Sequence, residues 1–166
     1  MKAKVNRELK YFAKDFAGIR KELKLLGSKL AEEKSQTDYF YHVPEADHLL
    51  KLREENDKQH LIYYYPVHNQ GQREVKFHLW EIKDSNTRAI FDTVLKPKGV
   101  VKKTREKWAN QTAVFHLDTV EGVGKIFEIE TQSATLADME KLRKIFLPYL
   151  GAQIEVSNID LVNKNK

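Results

Sequence analysis

Eight stretches of this chain alternate apolar and polar side chains at a period of two, at residues 5–12, 36–43, 49–54, 61–67, 73–82, 100–108, 113–120 and 125–132. A run with that period can hide one face as a strand but not as a helix. In the first, Val5, Leu9 and Tyr11 fall on one side and Asn6, Glu8 and Lys10 on the other. Turn-forming pieces such as Pro44-Glu45-Ala46-Asp47, Asn69-Gln70-Gly71-Gln72 and Glu121-Gly122-Val123-Gly124 separate several of these runs. They are too short for the crossover that a parallel pair needs, so the spacing predicts antiparallel pairing.

Three segments change to the helical period. Asp15 can cap a helix that turns Phe16, Ile19, Leu23 and Leu26 inward, and Gly27 suits its end. Ser85 opens a second helix through about Leu95, and a third covers residues 135–149, its end weakened by Pro148. The predicted order is strand, helix, four strands, helix, three strands, helix. No repeat, linker or low-complexity segment interrupts it, and 166 residues with 41 % apolar content suit one domain. Fraying is expected after about residue 163.

The charges on the strands fall together. Glu8 shares a face with Lys10, Lys51 with Arg53, Lys103 with Arg105 and Lys107, and Glu128 with Glu130. The plain reading is that these faces meet water. The sharper one closes eight strands into a barrel, with one face lining a lumen and the other meeting the helices. Cations crowded in such a lumen repel one another and call for a polyanionic guest. In that case Lys51, Arg53, Lys103 and Arg105 suit a triphosphate, and the hard oxygens of Glu8, Glu128 and Glu130 suit magnesium or manganese.

Composition narrows the partners. There is no cysteine, so any metal must be held by carboxylate or imidazole. A formal charge of +5, from 29 Lys and Arg against 24 Asp and Glu, favours anionic partners without choosing among them. RNA ranks last, because acids intersperse the bases and no RNA-binding signature is present. The start, MKAKVNRELKYF, has no signal-like apolar run, and nothing approaches the roughly 20 apolar residues of a membrane span. A cytoplasmic protein away from membranes is the expectation, and the sequence carries no signal for oligomeric state.

Six segments, in order along nearly the whole chain, resemble the CYTH superfamily of triphosphate tunnel metalloenzymes. They are NRELK at 6–10, QTDYFY at 36–41, LKLRE at 50–54, VKKTREKW at 101–108, LDTVEGVGKIFEIE at 117–130 and SNIDLV at 157–162. The resemblance implies an α+β fold, a closed eight-stranded antiparallel barrel with flanking helices. It implies Glu8, Asp118, Glu128 and Glu130 as ligands of Mg2+ or Mn2+, and Lys10, Lys51, Arg53, Lys103 and Arg105 as phosphate ligands. For Asp118 a strand-end structural role is the alternative, and Gly122 and Gly124 serve the hairpin turn rather than phosphate.

The chain departs from the family pattern at several positions. Asn6 stands where the family has its first glutamate, Ile62 and Tyr64 replace a Thr-x-Lys, and Lys76 stands where an acid is common. Arg73 can supply a cation nearby, and Tyr64 can stack on a base or donate a hydrogen bond. The leading expectation is a metal-dependent enzyme acting on a triphosphate, as a triphosphatase or as a class IV adenylyl cyclase making cyclic AMP and pyrophosphate. No histidine stands out as a general base: His116 can share the lumen face or serve structure alone, and water activated by the metal is the simpler nucleophile. The alternative is a noncatalytic triphosphate or polyphosphate-binding module with a degenerate metal site.

Overall fold

The computed structural model describes residues 4–69, 72–84, 86–131 and 135–165, with side chains described except at 4, 5, 66–69, 72, 73 and 136. Nine strands are β1 (Lys4–Ala13), β2 (Lys29–Tyr41), β3 (Leu49–Glu55), β4 (Lys58–Asn69), β5 (Gln72–Ile82), β6 (Pro97–Ala109), β7 (Val114–Val120), β8 (Gly124–Thr131) and β9 (Leu150–Gln153). Four helices are α1 (Phe16–Leu25), α2 (Thr87–Val94), α3 (Leu136–Phe146) and α4 (Asn158–Lys164), with a single 3-10 turn at Leu147–Tyr149 that contains Pro148. No helix among the described residues is long and apolar enough to cross a membrane.

The strands hydrogen-bond in the order β5-β4-β3-β2-β6-β7-β8-β1, and β1 returns to β5 through partners from Lys4↔Phe77 to Arg7↔Glu74. Every pairing is antiparallel, so eight strands form a closed barrel and leave no edge among themselves. β9 is an extra short strand, added to β1 at Tyr11↔Gln153 and Ala13↔Leu150. The hairpin between β3 and β4 is a two-residue turn in which Asn56 and Asp57 both take positive φ, the geometry that matches strand twist.

Local chemistry sets the helix ends. The Asp15 carboxylate accepts from the Ala17 N–H, and past α1 the N–H groups of Gly27 and Ser28 return to the carbonyls of Lys24 and Leu23. Gly27 takes φ +71°, which closes this capping motif without Cβ strain. Thr135 and Asp138 form a reciprocal capping box on α3, and Ser157 and Asp160 form another on α4.

Two apolar clusters fix the barrel. On its outside, α1 and α3 press Phe16, Ile19, Leu23 and Phe146 onto Tyr11, Trp108, Phe115, Leu117, Phe127 and Ile129. Inside, at one end, lumen-facing Phe40, Leu49, Val101, Val120 and Ile126 pack with Ile154 and Ile159 from the C-terminal segment. The chain that follows β9 therefore floors the lumen.

Most elements lie where the periodicity places them, with two additions and one extension. β9 and α4 were not expected as elements, and α4 carries order to Lys164, past the expected onset of fraying. β2 begins seven residues before the predicted strand, at Lys29. Ser85, Gln132 and the Gln70-Gly71 turn centre, which the sequence assigns to a helix start, a strand end and a turn, lie outside the described residues.

Candidate functional site

The barrel encloses a cavity of about 640 Å³. Its wall divides by strand, because alternation sends every second side chain of each strand inward. A basic arc spans β3, β2 and β6, an acidic sector spans β8 and β1 with His116 of β7 between the two, and β4 and β5 complete the ring with apolar residues.

The basic arc is built from two units of one design. On β3, Arg53 grips Asp38 of β2 with Nε donating to Oδ1 at 2.6 Å and Nη2 to Oδ2 at 2.8 Å, while Lys51 Nζ donates to Oδ2 at 2.9 Å. On β6, Arg105 grips Asp118 of β7 with Nε and Nη2 both at 2.6 Å, while Lys103 Nζ lies 3.0 Å from Oδ2. In each, one strand carries Lys-x-Arg and the adjoining antiparallel strand carries the aspartate. The bidentate geometry locks both guanidinium planes and leaves the two Nη1 donors of each for a ligand.

Asp38 was not singled out from the sequence. Its signal was available: it alternates with Gln36 and Phe40, and its spacings of 13 and 15 to Lys51 and Arg53 mirror those of Asp118 to Arg105 and Lys103. Asp38 also revises the expectation of a lumen strained by unbalanced cations, since each Lys-x-Arg pair has a buried counter-ion. Asp118, implied as a metal ligand, is fully buried with both oxygens taken by Arg105 and Lys103, and it stands behind the cavity wall rather than on it.

Charge states follow from this packing. Burial alone would raise Asp118, but Arg105 and Lys103 outweigh it and hold the carboxyl well below the usual range. Asp38 behaves in the same way, against Lys51 and Arg53. Desolvation, reinforced by Arg53 and only partly offset by Asp38, pushes Lys51 down to about 7. Lys103 is lowered as well, by burial and then by Arg105.

The acidic sector gathers Glu8, Glu128 and Glu130, with Glu8 paired to Glu130 and Lys10 to Glu128 across β1 and β8. Glu128 accepts from Arg105 Nη2 at 3.0 Å and lies 3.7 Å from Lys10 Nζ. Burial would raise it, but Arg105 and Lys10 prevail and bring it to about 2. Lys10 also donates to the Val156 carbonyl and to Asn158 Oδ1, which ties the wall to the floor. Asn6 donates its amide to Glu130 Oε1, and His116 Nε2 lies 2.9 Å from Glu130 Oε2. Burial, then Arg105, lowers His116, and among the described residues its buried Nδ1 has no hydrogen-bond partner.

These carboxylates are hard oxygen donors of the kind magnesium and manganese take. Among the described residues no group of three or more His, Asp or Glu is preassembled as a cage.

The other predicted positions are placed as follows. Lys10, Lys51, Arg53, Lys103, Arg105, Glu8, Glu128 and Glu130 all line the one cavity, as do Ile62 and Tyr64. Lys76 lies on β5 between the lumen-facing Val75 and Phe77 and so projects from the outer face, where it replaces no lumen acid. Arg73 lies on β5 opposite His68, and its side chain is outside the described part.

A closed antiparallel barrel with a basic arc facing an acidic sector defines a class of protein. The model of the CYTH domain matches residues 4–157, and the chain belongs to the CYTH family. A Methanocaldococcus jannaschii protein named putative adenylate cyclase is 24 % identical over 165 residues, covering 95 % of this chain and 94 % of its own. A solved structure from Pyrococcus horikoshii has a TM-score of 0.81 at 23 % identity, covering 95 % of this chain and 99 % of that one. Another, a putative adenylyl cyclase from Hippeastrum with a dominant triphosphatase activity, has a TM-score of 0.67 at 17 % identity over 97 % of this chain and 96 % of that one.

Proposed function

We propose that this protein binds a triphosphate inside the barrel and acts on it with magnesium or manganese, by hydrolysis or by cyclisation of ATP to cyclic AMP and pyrophosphate. The observation that carries the reading is the pair of Lys-x-Arg units, each held by a buried aspartate and both aimed at one cavity.

In this reading Arg53 and Arg105 each offer Nη1 donors to phosphate oxygens, in planes already fixed by Asp38 and Asp118, so little ordering is required when the ligand arrives. Lys51, Lys103 and Lys10 add point charges that follow charge as it builds on the oxygens during bond cleavage. Asp118 is a positioning residue for Lys103 and Arg105. Glu8, Glu128 and Glu130 would hold the metal, which when bound neutralises phosphate charge and polarises the P–O bond. The floor of Ile154 and Ile159 keeps water from entering at that end.

A second reading has a specific observation behind it. Both oxygens of Glu130 are engaged, by neutral Asn6 and by His116, which suits a module that binds a triphosphate without turning it over. Incubation with tripolyphosphate, ATP and thiamine triphosphate, each with magnesium or manganese, separates the outcomes by product. Phosphate release supports hydrolysis, and cyclic AMP with pyrophosphate supports cyclisation. Tight binding without turnover supports the module, and no binding of any of the three rejects the tunnel as a triphosphate site.

A further inference from the structure

The C-terminal segment does more than close one end of the barrel. Lys10, Lys51 and Lys103 are the first lumen-facing residues above the floor on their strands, each two positions from Phe12, Leu49 or Val101 of the inner apolar cluster. They are held differently. Lys51 and Lys103 each donate to an aspartate of a neighbouring strand, Asp38 or Asp118. Lys10 makes its hydrogen bonds to the floor instead. Its Nζ donates to the Val156 carbonyl at 3.2 Å and to Asn158 Oδ1 at 3.3 Å, while Glu128, at 3.7 Å, lies beyond hydrogen-bond reach.

Two neutral oxygens fix an ammonium without cancelling its charge, and they occupy two of its three protons. The third is left for the lumen. A lysine without such support loses rotamer freedom when it meets a ligand, whereas here folding has already removed it. The supporting groups are themselves set from outside the lumen. Ser157 and Asp160 cap α4, Asp160 lies 3.3 Å from Lys98 Nζ, Asn163 donates to the Lys98 carbonyl, and Ile159 is fully buried in the floor cluster. Asn158, one residue past the cap, lines the cavity. We propose that Asn158, together with the Val156 carbonyl, is a positioning residue for Lys10, so that the floor sets the Nζ that meets a phosphate oxygen. This rests on the triphosphate reading above and extends its site to the segment after β9.

The test is a double-mutant cycle on tripolyphosphate binding, measured by calorimetry without divalent metal, which holds turnover off. Asn158→Ala keeps the Ser157–Asp160 capping box and suits the first turn of a helix. It should weaken binding roughly three- to tenfold, the effect of losing one hydrogen bond to a charged group. In the Lys10→Met background the same change should have no further effect. Asn163→Ala, which loosens α4 from the Lys98 carbonyl without touching Lys10, should leave affinity unchanged. No loss from Asn158→Ala, a loss equal in both backgrounds, or one matched by Asn163→Ala overturns the inference while leaving the triphosphate reading in place. Hydrogen exchange gives a check that needs no variant. Because coupling is reciprocal, bound tripolyphosphate should slow exchange at the Ile154 and Leu161 amides, which bond to the carbonyls of Lys10 and Ser157. Unchanged or faster exchange there overturns the inference as well. Failure of tripolyphosphate to bind the unaltered protein removes the triphosphate reading and this inference together.

Discussion

Lys51 offers the sharpest test of how the basic arc works. Buried beside Arg53 and only partly offset by Asp38, it titrates at about 7 in the empty barrel. A triphosphate against its Nζ would favour the charged form and restore it toward the ordinary value of about 10.4. Binding should therefore take up roughly half a proton on Lys51 at pH 7 and roughly 0.9 at pH 8. The same linkage weakens affinity as pH rises, by roughly 90-fold between pH 6 and pH 9. The ligand's own terminal phosphate also titrates near neutrality, with the opposite effect on affinity, so Lys51→Met serves as the reference that carries the ligand's contribution alone. Calorimetry of tripolyphosphate binding in buffers of different ionisation enthalpy gives the proton count directly. Equal uptake by the unaltered protein and Lys51→Met would refute the claim that phosphate meets this lysine.

The remaining predictions concern the rest of the site and its support. Because the folded pKa of Lys51 lies below its unfolded value, its contribution to the stability of the empty barrel rises from about pH 7 toward pH 10 and is most unfavourable below 7, a trend that Lys51→Met should flatten in denaturant titrations at several pH values. Asp118→Asn leaves Lys103 and Arg105 without their buried counter-ion and should lower folding stability by about 3–5 kcal/mol, read from chemical denaturation. Glu130→Gln should abolish metal-dependent turnover with the fold retained by circular dichroism, whereas Arg53→Ala should mainly weaken triphosphate binding. Asn6→Glu sets a second carboxylate beside Glu130, so it should raise the metal-dependent rate and lower the melting temperature only when metal is absent. Gly99→Ala places a Cβ 2.7 Å from Ile159 Cδ1 at a positive φ, so a loss of about 1–3 kcal/mol should appear in thermal melts as the floor of the barrel loosens.

The barrel was readable because its strands are half-buried twice over. On β1, β6, β7 and β8 one face meets the outer helices and the other meets the lumen, so the period of two is kept even where the inward residues are charged. That logic fails at Lys29–Ser35, where no described side chain is fully buried and the strand exists because β6 pairs with it, from Leu30↔Trp108 to Ser35↔Thr104. It fails again at β9 and α4, which are too short to show a period: β9 is held by its pairing to β1 and by Leu150 in the outer cluster, and α4 by the floor to which Ile159 belongs. Asp38 escaped notice for a related reason. A lone acid in an aromatic-rich strand, QTDYFY, is marked only by its spacings of 13 and 15 to Lys51 and Arg53, which take on meaning once the hairpin register sets Arg53 opposite it.

The arrangement of the two Lys-x-Arg units bears on what they can hold. β2 lies between β3 and β6, so the two pairs sit two strand spacings apart, on the order of 10 Å, across one concave arc. A chain of linked phosphates can follow an arc of that span. Charge points the same way: four cations against Asp38 and Asp118 leave the arc with a surplus, which Glu128 of β8 meets only in part through its 3.0 Å contact with Arg105. A polyanion lying along the arc and a divalent cation between it and Glu8, Glu128 and Glu130 would neutralise both halves together. On the function proposed above, each half of the lumen would then complete the other, so tripolyphosphate should bind more tightly with magnesium or manganese than without, and equal affinity in the two conditions would refute the pairing.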